Sequence, residues 1–189
     1  MAVSICAFNS TELNNQELID DGLNLFVEWE LSDMFSDLLL SREVAMNNEQ
    51  GELDQIASLL KIDIEAIYTM SNYWDKEQEI EHLSRHNNED DRAKQLEIIQ
   101  ENNFNLIGNI DTVYETILSL EREIVKEEDL KFLLKKYNPG FYDDYDYFLK
   151  ERKPYQLNLL MDLSKIKEFI EFVKPLDADT VYFKFKTII

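Results

Sequence analysis

The chain has 189 residues, of which 44% are hydrophobic and 12% aromatic, and this apolar content argues against intrinsic disorder. Its formal net charge of −20 at pH 7 disfavours contact with nucleic acids and anionic membranes. No apolar segment approaches the roughly 20 residues that span a bilayer, and the N-terminus lacks the pattern of a signal peptide. We therefore expect one cytoplasmic domain over residues 1–189, with neither nucleic acid nor membrane as a partner.

The negative charge is concentrated in the first part of the sequence. Residues 1–100 hold 22 acidic and 6 basic side chains, whereas residues 101–189 hold 17 and 13. A field of this sign attracts basic proteins and accelerates their association. The alternative explanation is that the acidic residues only keep the protein in solution.

The first hundred residues begin with a predicted strand and continue as helices. Residues 2–8 alternate at period two, which predicts a strand in which Cys6 is a buried apolar residue. Residues 23–40 carry apolar side chains at helical spacing and predict one long helix. Three carboxylates lie between its two apolar strips: Glu30, Asp33 and Asp37. We interpret them as a solvent-exposed edge rather than as metal ligands, because no nearby residue completes a metal site.

Residues 52–70 predict two helices joined by a tight turn. The pattern is similar to the start of a helix-turn-helix DNA-binding motif, although Lys61 stands where such motifs prefer glycine. Asp63 and Glu65 open the second helix and would repel DNA phosphates. A helical hairpin packed within the domain is therefore the prediction.

The histidines, His82 and His86, lie four residues apart in a segment predicted to be helical, so they share one helix face. Glu79 is a candidate third metal ligand. The segment lacks the glutamate of the zinc-protease motif and is polar, so we predict no metal and no cofactor. The sequence also contains no phosphate-binding loop, nucleophile elbow or Cys/His cluster, and no catalytic residue is predicted.

Aromatic and acidic side chains are interleaved over residues 141–148. Tyrosine offers a large rigid contact area, and neighbouring carboxylates pair with Arg or Lys of a partner. The predicted partner-binding residues are Tyr142, Asp143, Asp144, Tyr145, Asp146 and Tyr147. The alternative interpretation is that the aromatic rings cap the core and that the basic run over residues 150–153 neutralises the acids.

The C-terminal segment predicts strand, helix and strand. Residues 155–161 and 180–186 alternate at period two, and Pro175 ends the helix between them. We predict a mainly helical α+β fold, in which residues 2–8, 155–161 and 180–186 form a small three-stranded sheet covered by six to eight helices. The connection between the last two strands is long enough for them to run parallel.

The order of these elements resembles that of the YfbM-like domain family. The similarity is carried by residues 4–8 with the following Glu12 and Leu13, by the helix and Tyr-Asn-Pro turn of residues 128–139, and by the closing strand, helix and strand. This resemblance implies an α+β fold and no known activity.

Together these patterns predict a non-enzymatic protein of the immunity or inhibitor type, which neutralises a basic partner such as a toxin. Two alternatives remain open. One is an adaptor or structural protein of unknown partner, and the other is a small metal-dependent enzyme that uses His82 and His86.

Overall fold

The computed structural model describes residues 2–11, 28–44, 50–74, 76–86, 88–136, 145–151 and 156–186. The strands are β1 (Ala2–Phe8), β2 (Trp29–Glu30) and β3 (Thr180–Lys186). The helices of the described ranges are α1 (Asp33–Val44), α2 (Glu52–Leu60), α3 (Glu65–Thr69), α4 (Lys76–Ser84), α5 (Glu89–Leu106), α6 (Ile110–Lys126), α7 (Leu130–Leu133) and α8 (Leu159–Val173). Short 3-10 turns occupy Met70–Asn72, Tyr145–Phe148 and Lys174–Leu176. The fold is α+β and mainly helical, as predicted.

The sheet has the order β2-β1-β3, and both pairs of strands are antiparallel. Two of the predicted strands are confirmed, and they pair along their whole length, from Ala2 opposite Lys186 to Phe8 opposite Thr180. Val181 and Phe183 of β3 are buried, and in the central strand β1 the five successive residues 3–7 are buried, so both faces of β1 are covered. Cys6 is also buried, as predicted. The sheet therefore forms one wall of the core.

The prediction of a strand over residues 155–161 is wrong. Residue 155 lies outside the described residues, residues 156–158 have no regular structure, and α8 begins at Leu159. The side chain of Asn158 caps this helix, because its Oδ1 accepts a hydrogen bond from the Met161 N–H at 2.9 Å. Leu163 and Ile166 then continue the buried face of the helix. The third strand is β2, and because residues 156–161 form no strand, they make no parallel pair with residues 180–186.

The helix predicted over residues 23–40 begins later in the structure, at Asp33, and ends at Val44. Residues 23–27 lie outside the described ranges, and Trp29 and Glu30 pair with β1 instead of continuing a helix. The helix starts only after Ser32, whose Oγ accepts a hydrogen bond from the Phe35 N–H at 3.1 Å. This cap sets the boundary between β2 and α1.

Helices α1, α6 and α8 fill the space behind the sheet. Phe35 of α1 meets Phe183 of β3 edge to face, with 5.6 Å between the ring centroids. Helix α6 carries a buried stripe at helical spacing: Ile110, Val113, Ile117, Leu120 and Ile124. None of the helices in the described ranges is long and apolar enough to cross a membrane.

The outer side of β3 is covered at one end by an asparagine. Asn109 Nδ2 donates to the Val181 carbonyl at 2.9 Å, and the Val181 N–H donates to Asn109 Oδ1 at 2.8 Å. The amide side chain thereby makes the two hydrogen bonds that a neighbouring strand would make at this residue.

The helical hairpin predicted over residues 52–70 is confirmed, and its turn falls at Lys61. This lysine has φ 56° and ψ 43°, the left-handed conformation in which a β-carbon crowds the backbone. We expect the free energy of unfolding of Lys61→Gly, measured by urea denaturation, to exceed that of Lys61→Ala by about 1 kcal/mol, because only glycine removes the crowding. Both variants lose the lysine side chain, so equal stability of the two would contradict the prediction.

Candidate partner-binding surface

The structure places two of the predicted partner-binding residues in the core. Tyr145 and Tyr147 lie in the 3-10 turn at Tyr145–Phe148 and are 4% and 0% exposed, and Asp146 pairs with Lys131. Burial raises the pKa of Tyr145, and the charge of Glu52 raises it further. The two tyrosines are therefore not available as surface anchors in this structure. Their burial agrees with the alternative interpretation, in which the rings cap the core. Residues 142–144 lie outside the described residues.

Tyr147 instead joins a buried hydrogen-bond network centred on Asp162. The Tyr147 hydroxyl donates to Asp162 Oδ2 at 2.8 Å, and the Ser32 N–H donates to Asp162 Oδ1 at 3.0 Å. The Ser32 hydroxyl also donates to Asp162 Oδ2. Asp162 is 2% exposed, and these bonds replace the water it loses on burial.

This network holds three parts of the chain together rather than preparing a reaction. Ser32 belongs to the junction between β2 and α1, Asp162 to the first turn of α8, and Tyr147 to the 3-10 turn. The Ser32 hydroxyl already accepts the capping bond from α1 while donating to Asp162. We therefore assign the network a structural role, which is to fix the start of α8 beside the start of α1.

A groove of about 770 Å³ lies directly above this network. One wall is the junction between β2 and α1, with Glu30 and Asp33, and the other wall is the start of α8, with Met161 and Lys165. Ser32 and Asp162 also line it. The groove is therefore bounded by two segments that are more than 120 residues apart in the sequence but hydrogen-bonded to each other.

Helix α8 and the residues that flank it also expose one continuous stripe. Its members recur every three or four residues: Leu157, Met161, Lys165, Glu168, Phe172 and Leu176. The four apolar members are each 45–52% exposed. Trp29 of β2 stacks on Phe172, with 5.9 Å between their ring centroids. The stripe therefore has two apolar ends and a charged centre formed by Lys165 and Glu168, and exposed apolar residues beside a groove are a feature that protein-binding surfaces share.

The three carboxylates that the sequence places together differ in their burial. Glu30 and Asp33 are exposed, whereas Asp37 is half-buried on α1. Burial raises the pKa of Asp37, and the neighbouring charge of Asp33 adds to this effect. Within the described ranges, no group of three or more His, Cys, Asp or Glu side chains is placed to hold a metal ion.

His82 lies on α4 where it meets α5, whereas His86 lies two residues beyond the end of α4, so the two do not share one helix face as predicted. The rings of His82 and His86 are 5.0 Å apart between centroids, and Trp74 packs on His82 at 4.7 Å. His82 Nε2 also lies 3.2 Å from Gln95 Oε1 of α5. These contacts describe His82 as a packing residue of the two helices.

Acidic residues of different helices differ in their pairing. Helix α5 exposes five carboxylates that make no ion pair within the described residues: Glu89, Asp90, Asp91, Glu97 and Glu101. On α6, by contrast, Glu121 pairs with Lys167 at 2.9 Å, and Glu123 pairs with Lys126 at 2.8 Å. The uncompensated negative charge of the described surface is therefore pronounced on α5.

Comparison of the chain with protein-family models, with curated proteins and with solved structures finds no match. The resemblance to the YfbM-like family therefore stays a prediction.

Proposed function

We propose that the protein binds a basic partner protein and neutralises it, in the manner of an immunity protein or a toxin inhibitor. The observation that supports this function best is the set of five unpaired, exposed carboxylates on α5. In a chain of net charge −20 they add to a negative field that concentrates cationic proteins near the surface.

The packing of α5 agrees with this role. Of its 18 residues, only Ile99 and Leu106 are buried, so most of its length faces solvent. Asp90, Glu97 and Glu101 follow one another at seven and four residues and so share one helix face, together with the exposed Lys94. This face carries three acids and one base, and its excess of negative charge suits a cationic partner.

The test is capture of a partner on the tagged protein from a lysate of the native cells at about 50 and 500 mM salt, followed by kinetics with the purified partner. We expect one abundant basic protein that is retained at low salt and weakened at high salt. Glu97→Gln combined with Glu101→Gln should lower the association rate constant severalfold, because rim charges act mainly on association.

The control is Gln100→Ala, which changes the exposed surface of the same helix without changing its charge. It should leave the association rate constant unaltered. Retention of no basic protein at either salt concentration would refute the proposed function.

A further inference from the structure

We propose that the groove between α8 and the junction of β2 with α1 binds an amphipathic helix of the partner, with lysine or arginine on its polar face. This inference rests on the proposed function, because it takes the partner to be basic, and it assigns the segment through which that partner docks.

The shape of the surface suits a helix. The exposed stripe extends over α8, whose 15 residues span about 22 Å, and a helix of similar length could lie along it with its apolar residues at the two ends of the stripe. Leu157 and Met161 form its apolar end beside the groove, and Phe172 and Leu176 form the other end. Helices bind in such grooves through apolar side chains that recur every three or four residues.

The charges of the two walls set the orientation of the ligand. Glu30 and Asp33 are exposed on the wall formed by β2 and α1, and neither makes an ion pair within the described residues. The wall formed by the start of α8 carries the apolar residues Leu157 and Met161 together with the polar residues Gln156, Asp162 and Lys165. A docked helix would therefore turn its basic residues towards Glu30 and Asp33 and its apolar residues towards Met161. This complementarity is the reason for assigning a basic helix rather than an acidic or purely apolar one.

The buried network keeps the groove preformed. Ser32 of one wall donates two hydrogen bonds to Asp162 of the other wall, so the distance between the walls is fixed before a ligand arrives. A preformed groove loses less conformational entropy on binding than one that has to be assembled.

The probe is a fluorescent 18-residue peptide of leucine and lysine, with leucine at helical spacing. The control peptide has the same composition in a scrambled order. Affinity is measured by fluorescence anisotropy. Met161→Lys should weaken binding of the amphipathic peptide about tenfold, because a charge replaces an apolar contact in the groove. The scrambled peptide, which has the same charge without an apolar face, should bind the wild-type protein at least tenfold more weakly.

The matched control is Ile80→Lys on α4, which lies outside both the groove and α5. Ile80 is 59% and Met161 49% exposed, both lie on helices, and both substitutions add one positive charge. Ile80→Lys should change the affinity less than twofold. Equal effects of the two variants, a larger effect of Ile80→Lys, or equal affinity for the two peptides would each overturn the groove assignment. None of these results bears on whether a basic protein is captured from the cell, so the proposed function and this inference fail separately.

Discussion

Replacement of Asp162 by alanine is expected to lower the free energy of unfolding by about 3–5 kcal/mol. The carboxylate is buried and accepts hydrogen bonds from the Ser32 N–H, the Ser32 hydroxyl and the Tyr147 hydroxyl. Its removal leaves these donors buried without their acceptor, and each unsatisfied donor costs about 1–3 kcal/mol. Urea unfolding followed by circular dichroism measures the difference.

Two variants separate this network from a general effect of losing an acid. Asp91→Ala removes an exposed aspartate that also lies in the first turn of its helix, and it should cost less than about 1 kcal/mol. Tyr147→Phe removes one donor and leaves the carboxylate in place, so it should cost about 1–2 kcal/mol. A cost of Asp162→Ala as small as that of Asp91→Ala would show that the network does not stabilise the fold.

Phe183→Ala should lower the free energy of unfolding by about 3–5 kcal/mol, the range found for large aromatic residues in cores. Phe183 is 1% exposed at the centre of β3, and its ring meets that of Phe35 edge to face. The substitution therefore leaves a cavity between the sheet and α1, where the surrounding side chains cannot fully collapse.

Phe132→Ala is the matched control, because Phe132 is 71% exposed and its truncation should cost less than about 0.5 kcal/mol. A double-mutant cycle of Phe35→Ala and Phe183→Ala should give a coupling energy of about 0.5–1.5 kcal/mol. If both single variants unfold at the urea concentration of the wild-type protein, then the contact between sheet and α1 contributes nothing measurable.

The elements that the sequence predicts correctly are those whose pattern is long or locally determined. Both β1 and β3 alternate over seven residues, and a period-two pattern of that length favours a strand over a helix. The hairpin of α2 and α3 is marked by apolar residues on each side of Lys61. In both cases the signal lies within one short segment.

The third strand could not be predicted in the same way. Strand β2 contains only Trp29 and Glu30, too few residues to show any periodicity. It forms by antiparallel pairing with β1, a contact that is distant in the sequence. Residues 155–161 alternate like a strand, but the capping bond of Asn158 and the burial of the α8 face favour a helix. Tertiary contacts decide between the two structures for so short an apolar run.

The candidate groove could not be predicted from sequence patterns, although the position of one of its residues indicates a buried contact. Its walls come from residues 30–34 and 156–165, and nothing in either segment indicates that they meet. Asp162, however, precedes Ile166 by four residues and Phe169 by seven, so it lies on the apolar face of its helix. An acid on such a face indicates a buried polar contact.

The amide of Asn109 has a consequence for the behaviour of the protein at high concentration. An edge strand with free N–H and C=O groups is a template on which a strand of another chain can assemble, which is a route to aggregation. At Val181 both groups are already bonded to Asn109, so an incoming strand would have to displace that side chain before it could pair there. A single asparagine thus protects this end of the sheet from edge-to-edge polymerisation.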